Sequence, residues 1–471
     1  MKQRAIAFLL ALAVLTAIPA VSALAEERTA PEAPAAAGRP DSPPEGPAAA
    51  PAPNAEEETP APEESGETTV LSPAGPDLAE NVTIQPDPLG EVTFANVERR
   101  MRENNFQILT LEQSVLTIED IDYDKLYDKL WQQVNDIAKA QWAFIRGAGA
   151  LKSMSQTIPG VEYSDYEYHT TYNQLDRAYD AVREQFDALV DGDMQRDNAD
   201  IVRQLKNLQD QIVAAGESLY AALTAMETQE AGLRRQLAAL DRTVEEMELR
   251  YGLGQISALQ LSEVKTGRAS LESGLETLRM NVKNYKLQLE MLIGAEQTGE
   301  IALGPLPEVT AEQLAAMDLE ADLAAAKERS YELYEAQQTL EDARDDYKEA
   351  ADNWGYNEDR YEFRSARNTW QAAQYTYSNA VQNYELKFRT LCAQVEDYRQ
   401  IWEAAKVSLA CEQSSYDASE LKFRQGTISR NVLLAAEDDL RAAEDKVRSA
   451  AGDLFSTYNT YCWAVEHGIL N

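Results

Sequence analysis

Two histidines and three cysteines are the side chains of this 471-residue chain best suited to nucleophilic or metal chemistry, and their spacing supports neither. His169 sits among Tyr163, Tyr166, Tyr168 and Tyr172, and His467 lies near the C-terminus. Neither has a Cys, Ser or Glu at the spacing a catalytic pair or a zinc site uses. Cys392, Cys411 and Cys462 are odd in number and form no CxxC, so they read as small core or surface residues, not a disulfide framework. Asp120-Ile-Asp-Tyr-Asp124 opens like a calcium loop. Lys125, however, stands where such a loop needs Gly, and Trp131 stands where it needs its last acid, so the stretch reads as a solvated break in a helix. The tyrosines around His169 suit a binding patch or packing against the outside of the body, since Tyr buries area while keeping its hydroxyl wet. No enzyme, cofactor or metal site is expected.

The elements that position these residues follow from composition. A formal charge of -37 would repel nucleic acid and anionic membrane surfaces. Residues 1–25 have the form of a secretory signal, with Lys2 and Arg4, an apolar run from Ala5 to Ile18, and Ala23-Leu24-Ala25 as a cleavage site. The expected location is therefore outside the cytoplasm, in the cell envelope. Residues 26–90 are rich in Pro, Ala and Glu, hold 14 of the 18 prolines, and read as a disordered linker. Only Pro159, Pro305 and Pro307 fall in the body, and since Pro breaks helix interiors they mark places where helices stop. They divide it into a first part, 91–300, with an interrupted insert near 152–200, and a second part, 301–471.

Within each part apolar residues alternate in steps of three and four, as in Ile201, Leu205, Leu208 and Ile212, or Val381, Tyr384, Phe388, Leu391 and Val395. Such runs predict coiled-coil helices, and about 50 residues of helix extend on the order of 75 Å. Two similar stretches interrupt them: Arg250-Tyr-Gly-Leu-Gly-Gln-Ile-Ser257 and Lys422-Phe-Arg-Gln-Gly-Thr-Ile-Ser429. Gly254 and Gly426 can take the left-handed conformation that ends a helix, and Ser257 and Ser429 can cap the next. Both stretches therefore read as hairpin tips. Glu103-Asn-Asn-Phe-Gln107 and Glu328-Arg-Ser-Tyr-Glu332 are also alike, each opening the first helix of its half. The openings are 225 positions apart and the tips 172, so duplication with about 53 extra residues in the first half is the simplest account.

The signal, the two repeats and the aromatic-x-x-Gly-x-Ile-Ser turns resemble the TolC-like outer-membrane efflux protein family over roughly residues 91 to 468. Leu289-Glu-Met-Leu-Ile-Gly294 is similar to that family's Leu-x-x-Leu-x-Gly ending. The resemblance implies an all-α protomer of very long helical hairpins with little or no β-structure, assembled as a homotrimeric α-barrel. It also implies tips contacted by a membrane-fusion adaptor, with an inner-membrane transporter as a further partner. By that resemblance the adaptor-docking residues are Tyr251, Gly254, Ile256, Ser257, Phe423, Gly426, Ile428 and Ser429. In a trimer Glu437, Asp438 and Asp439, about three turns past the second tip, would form an acidic pore ring. The family inserts a strand hairpin into each repeat, whereas Asn353 to Asp359 is too short for strands of about 9 to 11 residues, and Val161 to His169 carries acids a lipid face would reject. The chain thus reads as a variant without a membrane barrel, of the kind a Gram-positive envelope would carry. A non-conducting coiled-coil spacer or scaffold of the envelope is the alternative function.

Overall fold

A computed structural model describes residues 87–88 and 90–470; the signal-like segment and nearly all of the Pro-rich stretch lie outside the described residues. The fold is all-α. After a two-residue strand β1 (Glu91–Val92) come α1 (Phe94–Asn104), α2 (Phe106–Glu119), α3 (Tyr123–Thr157), α4 (Asp165–Val190), α5 (Asp193–Gly252) and α6 (Ala258–Leu292). Strand β2 (Ala302–Leu303) leads into the second half: α7 (Ala311–Ala315), α8 (Leu319–Arg329), α9 (Tyr331–Trp354), α10 (Tyr361–Arg424) and α11 (Arg430–His467). The two strands pair in parallel, Glu91 with Ala302 and Val92 with Leu303. The 64 residues of α10 extend about 96 Å, and the 60 of α5 about 90 Å. Among the described residues no helix is long and apolar enough to cross a membrane, and neither strand approaches the length of a membrane strand.

Each half contains the same joint. The stretches read as helix openings are breaks between two helices, an 11-residue helix preceding each. Asn105 (ψ 116°) and Ser330 (ψ 119°) hold extended backbone for one residue between helices. Asn105 accepts hydrogen bonds from the backbone N–H of Gln107 and Ile108 and donates its side-chain amide to Leu292 O, 2.9 Å away. Ser330 accepts from Leu333 N–H. A returning helix ends on each joint. Gly294 (φ +68°) closes α6 so near Asn104 that a Cβ would lie 2.5 Å from the Asn104 Cβ, and Gly468 (φ +70°) closes α11 so near Ser330 that a Cβ would lie 2.4 Å from its nitrogen.

Each half has its own core. Val97, Met101, Val213, Leu223, Leu289 and their neighbours pack in the first, and Leu323, Leu333, Phe388, Val395, Leu454 and theirs in the second. A buried tyrosine ties each core to backbone. The Tyr220 hydroxyl lies 2.8 Å from both Val92 O and Gly304 O, and that of Tyr384 lies 3.1 Å from Ala326 O and 3.2 Å from Gly468 O. Phe94 joins the cores, meeting Tyr220 and Phe455 edge-on at 5.6 and 4.8 Å.

The region between Lys152 and Asp200 is helical. Ser164 caps α4, and Pro159 lies in the short turn from α3 to α4, so the stretch from Tyr163 to Tyr172, rich in strand-favouring aromatics, lies largely on a helix. Tyr168 stacks on Phe144 of α3 at 5.5 Å and on Tyr172 at 6.1 Å. Asp122 caps α3 by accepting from Lys125 N–H, a helix break as expected. The counterpart turn after α9 uses Gly355 (φ +62°) and Tyr356 (φ +58°).

Candidate functional site: the hairpin tips

The two tips are built alike in their backbone hydrogen bonds. In the first, Gly254 (φ +73°) donates to Tyr251 O at 2.9 Å and Gln255 donates to Arg250 O at 2.9 Å. In the second, Gly426 (φ +72°) donates to Phe423 O at 2.8 Å and Thr427 donates to Lys422 O at 3.0 Å. These bonds back into the last turn satisfy carbonyls that a helix end leaves open, and they need a residue tolerant of positive φ. Ser257 and Ser429 then start the outgoing helices, accepting from Gln260 N–H at 3.2 Å and Val432 N–H at 3.4 Å. At the first tip Gln260 also accepts from Ser257 N–H, completing a capping box, and Val432 cannot supply that second bond at the other tip.

Ile256 and Ile428 are half-buried inside their turns, whereas Tyr251 and Phe423 stay exposed. Around them an apolar collar faces solvent, including Leu249, Leu253 (74% exposed), Leu259, Leu421 and Val432. A shallow open groove of about 430 Å³ runs beside the first tip between Tyr251, Leu261 and Lys265. Nothing lies within 4 Å of a Cβ built on Gly254 or Gly426. The arrangement presents an exposed apolar surface at the end of each hairpin.

The tips also lie together, which the sequence did not reveal. Arg235 and Arg242 of α5 pair with Asp445 and Asp438 of α11, and Asn431 approaches Glu246 at 3.5 Å. Asp438 is therefore engaged across the two hairpins, and Asp439 is the exposed member of its run, with Glu437 half-buried. His169 rests edge-on against Tyr168. Among the described residues no three His, Cys, Asp or Glu side chains come together as a metal site requires. Cys392 and Cys462 are partly covered, and burial pushes both thiols up to about 11.

A polar seam holds the two halves together where sequence reasoning saw only single residues. Glu217 of α5 is 6% exposed and accepts from Trp463 Nε1 (2.7 Å) and Asn459 Nδ2 (2.8 Å) of α11. Burial raises its carboxyl pKa, and those two bonds offset the rise only in part. Two turns earlier on α5 Asp210 meets Arg102 at 2.8 Å and His467 Nδ1 at 3.2 Å, with the His467 ring 4.5 Å from Trp463. The bond to Asp210 raises the His467 pKa; burial would raise that of Asp210, but its bonds from His467 and Arg102 win and hold it below the usual range.

No family model matches the sequence, and no curated protein does. Among solved structures the chain is similar to a membrane protein from Pseudomonas aeruginosa, with 12% identity, a TM-score of 0.46 and 79% of this chain matched to 89% of that one. It is similar to the outer membrane protein VceC from Vibrio cholerae, with 13% identity, a TM-score of 0.45, and 79% and 96% of the two chains covered. The outer membrane channel MtrE of Neisseria gonorrhoeae in its open state matches at 14% identity and a TM-score of 0.42, over 80% and 89% of the two chains. These are similarities of chain arrangement.

Proposed function

We propose that the chain is a component of an export conduit in the cell envelope, in which three copies stand side by side and close a helical tunnel. A membrane-fusion adaptor, itself coupled to an inner-membrane transporter, docks at Tyr251, Gly254, Ile256 and Ser257 and at Phe423, Gly426, Ile428 and Ser429. The observation that carries this reading is the pair of tips, identical in backbone bonding and set side by side at one end of two long hairpins. A spacer needs no such duplicated, apolar and exposed end. The tunnel performs no covalent step, and selection rests on what lines it. Glu437 and Asp439 are the carboxylates left to bias passage towards cations, since Asp438 pairs with Arg242.

The test places a photo-crosslinking residue at Leu253 or Leu421 in cells that carry the full chain, with exposed Val407 on the side of α10 as the control. The reading predicts capture of one envelope protein with an adaptor's helical hairpin from both tips and not from Val407. Equal capture at all three positions, or none at the tips, would contradict docking there.

A further inference from the structure

From Ile137 to Val161 the chain carries Lys139, Arg146 and Lys152 and not one carboxylate, in a protein of formal charge -37. Along the same helix Ala140, Ala143, Gly147, Leu151, Met154 and Ile158 follow steps of three and four, and all six are exposed. The last buried side chain of α3 is Val134, in the small cluster with Leu130, Phe186 and Leu189 that fixes the base of the α3–α4 hairpin. Beyond it this face of α3 is only partly covered by its own chain, with Leu151, Met154 and Ile158 left 43–46% exposed. A Cβ at Gly147 would meet nothing within 4 Å, and Trp142 beside the stripe is 63% exposed. Small residues followed by larger ones at this spacing form a seam that another helix can enter closely.

We infer that the α3–α4 hairpin is a self-association module, in which this seam of α3 docks against α4 of a second copy. The inference rests on the side-by-side copies of the proposed conduit. Charge selects the partner helix: between Asp165 and Val190, α4 has six carboxylates against two arginines, with Glu167, Asp180 and Glu184 exposed. Register agrees with it. Gln141 meets Asp176 (3.3 Å) and Lys152 meets Asp165 (3.0 Å) within one hairpin, so in parallel copies Lys139 stands level with a neighbour's Ala178 and Lys152 with its Asp165, each within about half a helical turn of Asp180 and Glu167 respectively. Lys139 and Lys152 already touch Asp136 and Asp165 of their own chain in exposed pairs that a second carboxylate can share.

Height leaves the same occupant. Tyr334 of α9 bonds Asp200, and Asn198 bonds Tyr123, so the two points are level. Helix α9 ends at Trp354, 20 positions past Tyr334, and by count reaches about residue 143 of α3. Gly147 to Ile158 therefore stand above the α9–α10 turn, where a parallel neighbour presents only its own α3–α4 hairpin. A lipid surface meeting the hairpin end would encounter Glu162, Asp165 and Glu167 first, and the seam runs along the side.

The experiment uses the full chain with Cys411 replaced by Ser, carrying Ala143→Cys on α3 and Gln174→Cys on α4, both exposed and level by the same register. Mild oxidation is expected to give dimers and trimers on a non-reducing gel that the C411S parent does not form. Adding Gly147→Glu and Leu151→Glu should lower that cross-linked fraction at least tenfold with helix content unchanged, because both positions are exposed and outside the buried cluster of the hairpin. An oligomeric wild type whose cross-link is absent, or indifferent to those changes, would overturn the inference and leave the conduit standing. A wild type that is monomeric by light scattering would overturn both. Flotation with phosphatidylcholine vesicles, lost in G147E/L151E while the oligomer persists, would make lipid the occupant and also overturn it.

Discussion

Replacing Gly468 with Ala tests whether the two repeats are locked by a returning helix that ends on a joint. Gly468, Gly294 and Gly426 have nearly the same backbone, with φ of +70°, +68° and +72°, so the intrinsic cost of an L side chain, about 1–2 kcal/mol, is common to all three. Restricting the unfolded chain returns about 0.4–1 kcal/mol at each. The surroundings differ. At Gly426 a Cβ meets nothing within 4 Å, whereas at Gly468 it would lie 2.4 Å from Ser330 N and 2.5 Å from Arg329 C, backbone atoms that cannot rotate away. Overpacking of that kind costs about 1–3 kcal/mol. G426A should therefore destabilise by about 1 kcal/mol and G468A by roughly 2–4 kcal/mol, with G294A near the latter because its Cβ would lie 2.9 Å from Asn104 O as well as close to the Asn104 Cβ. Urea unfolding of the purified chains, followed by far-ultraviolet circular dichroism, reads the difference as a shift in midpoint at constant slope. Equal shifts for G426A and G468A would refute the lock, since backbone strain alone would then account for both.

Three further outcomes follow from the polar contacts. Tyr220→Phe and Tyr384→Phe each remove the single hydroxyl proton that two backbone carbonyls share and should each cost about 1–3 kcal/mol in the same unfolding assay. His467 has a pKa raised from 6.5, so its contribution is fully present below 6.5 and is lost as pH rises through the higher folded value; His467→Asn should flatten that part of the stability–pH curve. Glu217, raised from 4.5, also favours the folded state least when ionised, so Glu217→Gln should stabilise the protein more at pH 8 than at pH 4, and a uniform effect across that range would deny the burial cost.

The long hairpins were legible because heptads extend over many turns and each tip is decided by one glycine and one serine within eight residues. The joint at Ser330 was visible as a repeat of the Asn105 stretch but not as a break, because the helices before them are only 11 residues long. Helix α4 was hidden by its run of aromatics, a residue type that favours strands. The local signal that outweighs them is Ser164-Asp-Tyr-Glu167, the serine accepting from Glu167 N–H as a helix start requires. Asp438 read as one of a pore-facing run, and Glu217 carries no signal in the sequence that sets it apart from other helical acids. Their partners Arg242 and Trp463 are 196 and 246 positions away, a pairing that periodicity in one chain cannot register.

Whether these hairpins close a tunnel is decided by imaging of the purified chain with light scattering, with and without detergent. A conduit gives particles of three copies with a central lumen along their length. A monomer, or a slender dimer with no lumen in both conditions, would contradict it and favour a spacer.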